Sequence, residues 1–153
     1  MDFVERNEAR VNAVRAHWEK LAVELKQAVD NFITHNPSSL LDTLSCGRSE
    51  KDTFTLSRRV SNPHKLREAR YPHKLLEARS YDLKCDFTQG PNEAVGHLKV
   101  RSSIRRQADL ELIRETAKAY EIHPDTDRPF HGKAGLLTTE QVVDEILCPL
   151  LKI

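Results

Sequence analysis

The first 35 residues carry an apolar pattern with helical spacing. After one gap, apolar side chains recur at alternating steps of three and four residues, and no Gly or Pro interrupts the stretch 2–35. The positions are Val4, Val11, Val14, Trp18, Leu21, Leu25, Ala28 and Phe32. This spacing places them on one face of an α-helix. The pattern predicts a long amphipathic helix of roughly 50 Å, at 1.5 Å per residue, that ends before Pro37.

The apolar face of this helix has two possible partners. Strict alternation of three- and four-residue steps suits a coiled coil, and a homodimer through the first half of the helix is one outcome. Ala22, Val29 and Ile33 widen the stripe toward the C-terminal end, which favours packing on a sheet. We expect sheet packing for the second half and leave dimerisation through the first half open.

Alternating patterns predict about four strands after this helix. Residues 40–60 fit a hairpin with a turn at 47–52. The clearest strand is 81–87, whose odd positions are apolar and whose even positions are charged, as expected for a strand with one buried face. A further strand is expected at 95–101, where Leu98 and Val100 share one side.

Residues 104–122 fit two patterns. Ala108, Leu110 and Leu112 alternate with charged residues as in a strand, whereas apolar residues also recur at helical spacing, at Leu110, Ile113, Ala117 and Tyr120. The stretch is rich in Glu, Ala, Lys and Leu, which favour helices. We therefore expect a helix here.

The C-terminal segment has the clearest helix boundaries. Thr138 and Gln141 form a candidate capping box, and Pro149 is expected to end the helix. Its buried face would comprise Val142, Val143, Ile146 and Leu147. The pattern as a whole predicts an α+β fold, with an antiparallel sheet of about four strands and both terminal helices packed against it.

Composition adds bounds on class and location. With 153 residues, 39% hydrophobic and 31% charged, the chain fits a single globular domain spanning 1–153. Its longest apolar stretches fall short of the roughly 20 residues of a membrane span, and the charged first ten residues argue against a signal peptide. We expect a cytoplasmic protein without a membrane partner. Cys46, Cys85 and Cys148 lack CxxC spacing, which predicts reduced, mostly buried thiols.

The middle of the chain is basic and contains a tandem repeat. Residues 48–106 carry 14 basic and 7 acidic side chains. Within them, 63–70 recurs as 72–79 with one of eight positions changed. A nine-residue offset turns a helix face by about half a turn and inverts strand alternation, and Pro72 prevents a continuous helix. Residues 61–80 are therefore expected to form an exposed insertion between strands.

Two sets of side chains are candidates for binding. A ligand pocket between helix and sheet would use Trp18, Cys46 and His97, although Trp18 also suits a core anchor. A surface for nucleic acid or another polyanion would use the basic side chains of the central region. These are Arg58, Arg59, Lys65, Arg67, Arg70, Lys74 and Arg79.

The sequence contains no catalytic or cofactor motif. The loop 123–131 gathers two imidazoles and two carboxylates but lacks the spacing of a calcium loop, so no metal is assigned. GxSxG, GxGxxG, HExxH and phosphate-loop patterns are missing. We expect a non-catalytic binding or interaction module without a cofactor. A ligand-binding or enzymatic domain with a pocket between sheet and helix, and a nucleic-acid binder, are the alternatives.

Overall fold

The computed structural model describes residues 3–35, 42–60, 79–106, 109–124 and 126–151. These residues form two helices and one antiparallel sheet of seven strands. The elements are α1 (Phe3–His35), β1 (Asp42–Glu50), β2 (Thr53–Val60), β3 (Arg79–Thr88), β4 (Gly96–Arg106), β5 (Leu112–Ile122), β6 (Phe130–Gly132), β7 (Gly135–Leu137) and α2 (Thr139–Leu151). The strands lie in chain order, so each pairs with its neighbours in sequence. The α+β class and the N-terminal helix are confirmed, and the count of about four strands is wrong.

One side of the sheet, here called the inner face, is buried by the helices. In β3 the alternating residues Tyr81, Leu83, Cys85 and Phe87 are buried, and the residues between them point to the opposite, outer face. The buried positions of α1 are Val14, Trp18, Leu21, Ala22, Leu25 and Val29. α1 also contacts α2. Packing on the sheet thus begins at Val14, while Phe3 and Val4 are exposed; dimerisation through this first part stays a prediction.

The helix expected over 104–122 is wrong, because residues 104–106 end β4 and residues 112–122 form β5. The two strands pair from Gly96 opposite Ile122 to Arg105 opposite Leu112. The residues with helical spacing do not share a buried face, since Ile113 is exposed and Leu110 lies in the turn before β5. Helix propensity amounts to only a few tenths of a kcal/mol per residue, which the backbone ladder with β4 outweighs.

β6 and β7 also increase the strand count. They pair as a small hairpin, and β6 joins β5 through Glu121 opposite His131 and Ile122 opposite Phe130. Each has three residues. A strand this short carries too few positions to show an alternating pattern, so the sequence indicated only the loop 123–131, within which β6 begins.

The expected capping box begins α2. The backbone amide of Thr138 donates to Oε1 of Gln141 at 2.9 Å, and the Gln141 amide donates to Oγ1 of Thr138 at 3.2 Å. The helix continues to Leu151, so the expected end before Pro149 is wrong. Proline cannot donate to the carbonyl four residues earlier. That carbonyl belongs to Glu145 and accepts from Nζ of Lys118 at 3.4 Å, which satisfies it within the helix.

The tandem repeat lies almost entirely outside the described residues. β2 ends at Val60 and β3 begins at Arg79, so the segment 61–78 connects two neighbouring antiparallel strands. Arg79 and Ser80, which the sequence assigned to the insertion, belong to β3.

Candidate functional site on the open face of the sheet

Trp18 lies in the core of the protein. It is 0% exposed, and its ring stacks on Phe87 with centroids 5.5 Å apart. The guanidinium of Arg48 lies over the Trp18 ring, and that of Arg15 lies over Phe87. Glu19 accepts two hydrogen bonds from Arg48, at 2.6 and 3.2 Å. These contacts join α1 to β1 and β3 and leave no surface of Trp18 open to a ligand.

The other two candidates for a ligand pocket lie on opposite faces of the sheet. Cys46 pairs with Leu56 across β1 and β2 and is partly buried against the core. Burial raises the pKa of its thiol, and the nearby charge of Asp30 raises it further, so the thiol is protonated at neutral pH. His97 alternates with the buried Leu98 and is exposed on the outer face. The structure therefore does not bring Trp18, Cys46 and His97 together.

The basic candidates are dispersed as well. Arg58 is on the inner face and only 4% exposed, with its guanidinium 5.1 Å from the centre of the Phe32 ring. Arg59 is exposed on the outer face, and Arg79 lies opposite Arg106 at the start of β3. Lys65, Arg67, Arg70 and Lys74 lie outside the described residues. Of the seven, Arg59 and Arg79 are exposed on described strands, and Arg59 is the one on the outer face.

The outer face contains a shallow recess of about 360 Å³ across β2 to β5. Its floor is formed by the strands, and its polar side chains are Thr55, Ser57, Asp82, Lys84, Arg101, Ser103 and Glu115. All of these lie on outward positions of the alternation, because they flank the buried residues of each strand. Ala117 and Ala119 on β5 are small and exposed, so they leave the recess open on that side.

Charges on the outer face are sorted into rows that cross the strands. The lysine–arginine row places Lys84 directly opposite Arg101. The carboxylate row, two residues along the strands, contains Asp82 and Glu115, with Ser103 between them. The arginine row, two residues further, contains Arg59 and Arg105, with Ser80 between them. Over these three rows the sign alternates along the strand direction, whereas the next outward row is mixed and places Asp86 opposite Lys99.

Among the described residues, Lys84 and Arg101 have no ion-pair partner. Neither forms a hydrogen bond or an ion pair with any described residue. Like charges directly opposite each other in a sheet are destabilising, by roughly 0.2–1 kcal/mol. Asp82 accepts a hydrogen bond of 2.6 Å from Oγ of Ser57, which fixes that carboxylate in the recess. Within the described part of the chain, the recess thus presents positive charge without an ion-pair partner beside an oriented carboxylate.

Histidines gather at the other end of the outer face. His97, Glu121 and His131 are side by side on β4, β5 and β6. His123 stacks on His131 with ring centroids 3.8 Å apart, and its Nε2 is buried 3.9 Å from a carboxylate oxygen of Glu121. Within the described part of the chain, no three His, Cys, Asp or Glu side chains are placed to hold a metal ion.

The residues of the recess were missed by sequence reasoning. The signal was present in 81–87, where the charged even positions indicate an outward face that carries Asp82 and Lys84. Their neighbours Arg101 and Glu115 depend on the register of β4 and β5. The expected helix over 104–122 removed β5 from the sheet, and with it Glu115 from the outer face.

The comparisons with known proteins found no match. No family model, no curated protein and no solved structure matches this chain. In the described ranges, neither helix is apolar enough over a sufficient length to cross a membrane.

Proposed function

We propose that this protein is a non-catalytic binding module that holds a charged ligand in the recess on the outer face of its sheet. The observation that carries the proposal is the opposed pair Lys84 and Arg101, which face each other without a described acidic partner. An arrangement that costs stability in the free protein is compensated when a ligand supplies the missing negative charge.

Burial and charge distribution favour this proposal over its alternatives. The tryptophan that would line an inner pocket is fully buried between α1 and β3, and the raised pKa of the Cys46 thiol makes it a weak nucleophile. A groove that follows a nucleic-acid backbone is lined by one sign of charge. Here the carboxylate row lies between two basic rows, which suits a ligand that carries both signs.

The proposal is tested with a pool of short synthetic peptides that contain Glu, Lys and Ser in random order. We expect the pool to shift backbone amide signals of β2 to β5 around the recess in a two-dimensional NMR spectrum. The double substitution Lys84→Glu with Arg101→Glu should abolish these shifts, because it removes the unpaired positive charge.

A matched control carries the same change in net charge on the other layer. Arg10 and Lys20 are exposed on α1, so Arg10→Glu with Lys20→Glu should leave the shifts at the recess intact. Shifts that are missing in the native protein, or that both double variants lose equally, would contradict binding at the recess.

A further inference from the structure

The order of the charged rows specifies a ligand, if the recess binds one as proposed above. Along the strand direction the outer face presents the arginine row, the carboxylate row and the lysine–arginine row. Successive outward residues of a strand are separated by about 6.7 Å, since each residue rises about 3.3–3.4 Å. The rows are therefore positive, negative and positive at about that interval.

Two of the rows leave room for a ligand side chain between their charges. Ser80 separates Arg59 from Arg105, and Ser103 separates Asp82 from Glu115. Residues on strands two apart stand roughly 9.6 Å from each other, with only a short hydroxymethyl group between them. A ligand group of opposite charge above either serine can therefore contact both flanking charges.

The charges of these rows have few competing partners. Arg105 donates from Nη1 to the carbonyl of Leu110 at 3.2 Å, and Asp82 accepts from Ser57. No ion pair joins one of the three rows to another among the described residues. The charges are held by the register of the strands rather than by pairing with each other.

We propose that the outer face binds an extended peptide segment whose alternate positions are acidic, basic and acidic. An extended chain presents every second side chain on one side, at the same interval of about 6.7 Å. Laid along the strands, its acidic residues meet the arginine row and the lysine–arginine row, and its basic residue meets the carboxylate row. The alternating charges along the outer face thus match the alternating charges of the peptide.

The test compares three labelled peptides by fluorescence anisotropy at low salt. The ordered peptide is Ser-Glu-Ser-Lys-Ser-Glu-Ser, the scrambled peptide is Ser-Glu-Glu-Lys-Ser-Ser-Ser, and the inverted peptide is Ser-Lys-Ser-Glu-Ser-Lys-Ser. Each exposed charge pair contributes a factor of about 1.4 to 5, and a ligand side chain between two charges forms two such pairs. We expect the ordered peptide to bind about tenfold more tightly than the scrambled one, and the inverted peptide to bind most weakly.

The decisive variant is one in which the preferred peptide should change. Asp82→Lys with Glu115→Lys makes all three rows positive, so this variant should prefer Ser-Glu-Ser-Glu-Ser-Glu-Ser to the ordered peptide. Glu8 and Asp144 are exposed on the helices; Glu8→Lys with Asp144→Lys gives the same net charge and should keep the original preference. Far-UV circular dichroism verifies that each variant is folded.

The outcomes separate this inference from the proposed function. If the ordered, scrambled and inverted peptides bind within twofold of each other while the pooled peptides still shift amides at the recess, the site exists but does not read order, and the inference is wrong. If the pool gives no shifts at the recess, the proposed function itself fails.

Discussion

Replacement of Trp18 by alanine tests whether this side chain is a core anchor or a ligand contact. Trp18 is fully buried and stacked on Phe87. A buried tryptophan removes on the order of 150–250 Å² from water, which corresponds to about 4–6 kcal/mol at 25 cal/mol per Å² as an upper figure. Truncation of such a residue to alanine costs about 3–5 kcal/mol. For a chain of this size that loss lowers the Tm by roughly 6–20 °C.

The measurement is thermal and urea unfolding followed by far-UV circular dichroism, because Trp18 is the only tryptophan and its fluorescence disappears with the substitution. Val23 lies on the same helix and is 62% exposed, so Val23→Ala should change stability by less than about 0.5 kcal/mol. A double-mutant cycle with Phe87→Leu should give a coupling of about 0.5–1.5 kcal/mol. A Trp18→Ala variant that loses less than about 1 kcal/mol would refute the assignment of Trp18 to the core.

Two further predictions concern close packing and pH. A Cβ at Gly96 would lie 2.6 Å from the Phe87 ring, so Gly96→Ala should lower the free energy of unfolding in urea by about 1–3 kcal/mol. The control is Gly47→Ala, because a Cβ added at Gly47 meets nothing within 4 Å. Equal effects of the two substitutions would argue against the close contact at Gly96. Burial, then the neighbouring His131, lowers the pKa of His123 in the folded protein, although Glu121 opposes the shift. Protonation of His123 therefore favours the unfolded chain. The stabilisation from neutral His123 is present above about pH 6.5 and is lost as pH falls through the folded pKa. His123→Gln should remove this pH dependence of the free energy of unfolding, measured from pH 5 to 8, and an unchanged dependence would contradict the prediction.

Long elements of the fold were easier to predict than short ones, because a long element contains enough residues to show a periodic pattern. α1 has 33 residues and β3 has ten, enough to show helical and alternating periods clearly. β5 has mostly exposed residues on both faces, so its apolar positions do not record which side is buried. The structure of β5 is set by its pairing with β4, which no local sequence pattern records.

The recess was less predictable than the fold because it depends on which residues the strand register places opposite each other. Lys84 and Arg101 are 17 positions apart in the chain and become neighbours only through the pairing of β3 with β4. The sequence shows that each is charged and outward. It does not show that they face each other, and nothing local indicates that neither pairs with an acidic side chain of the described residues.

The contact between α1 and α2 joins the first described element to the last described one. All strand pairs form between neighbours in sequence, so the hairpins have local partners and can assemble in order as the chain lengthens. The packing of α1 against α2 can form only after residues 139–151 have been made, because α2 follows the strands in the sequence. A chain shortened before α2 would therefore retain hairpins but leave part of the apolar face of α1 uncovered. α2 thus completes the apolar core, to which it contributes Val142, Val143, Ile146 and Leu147.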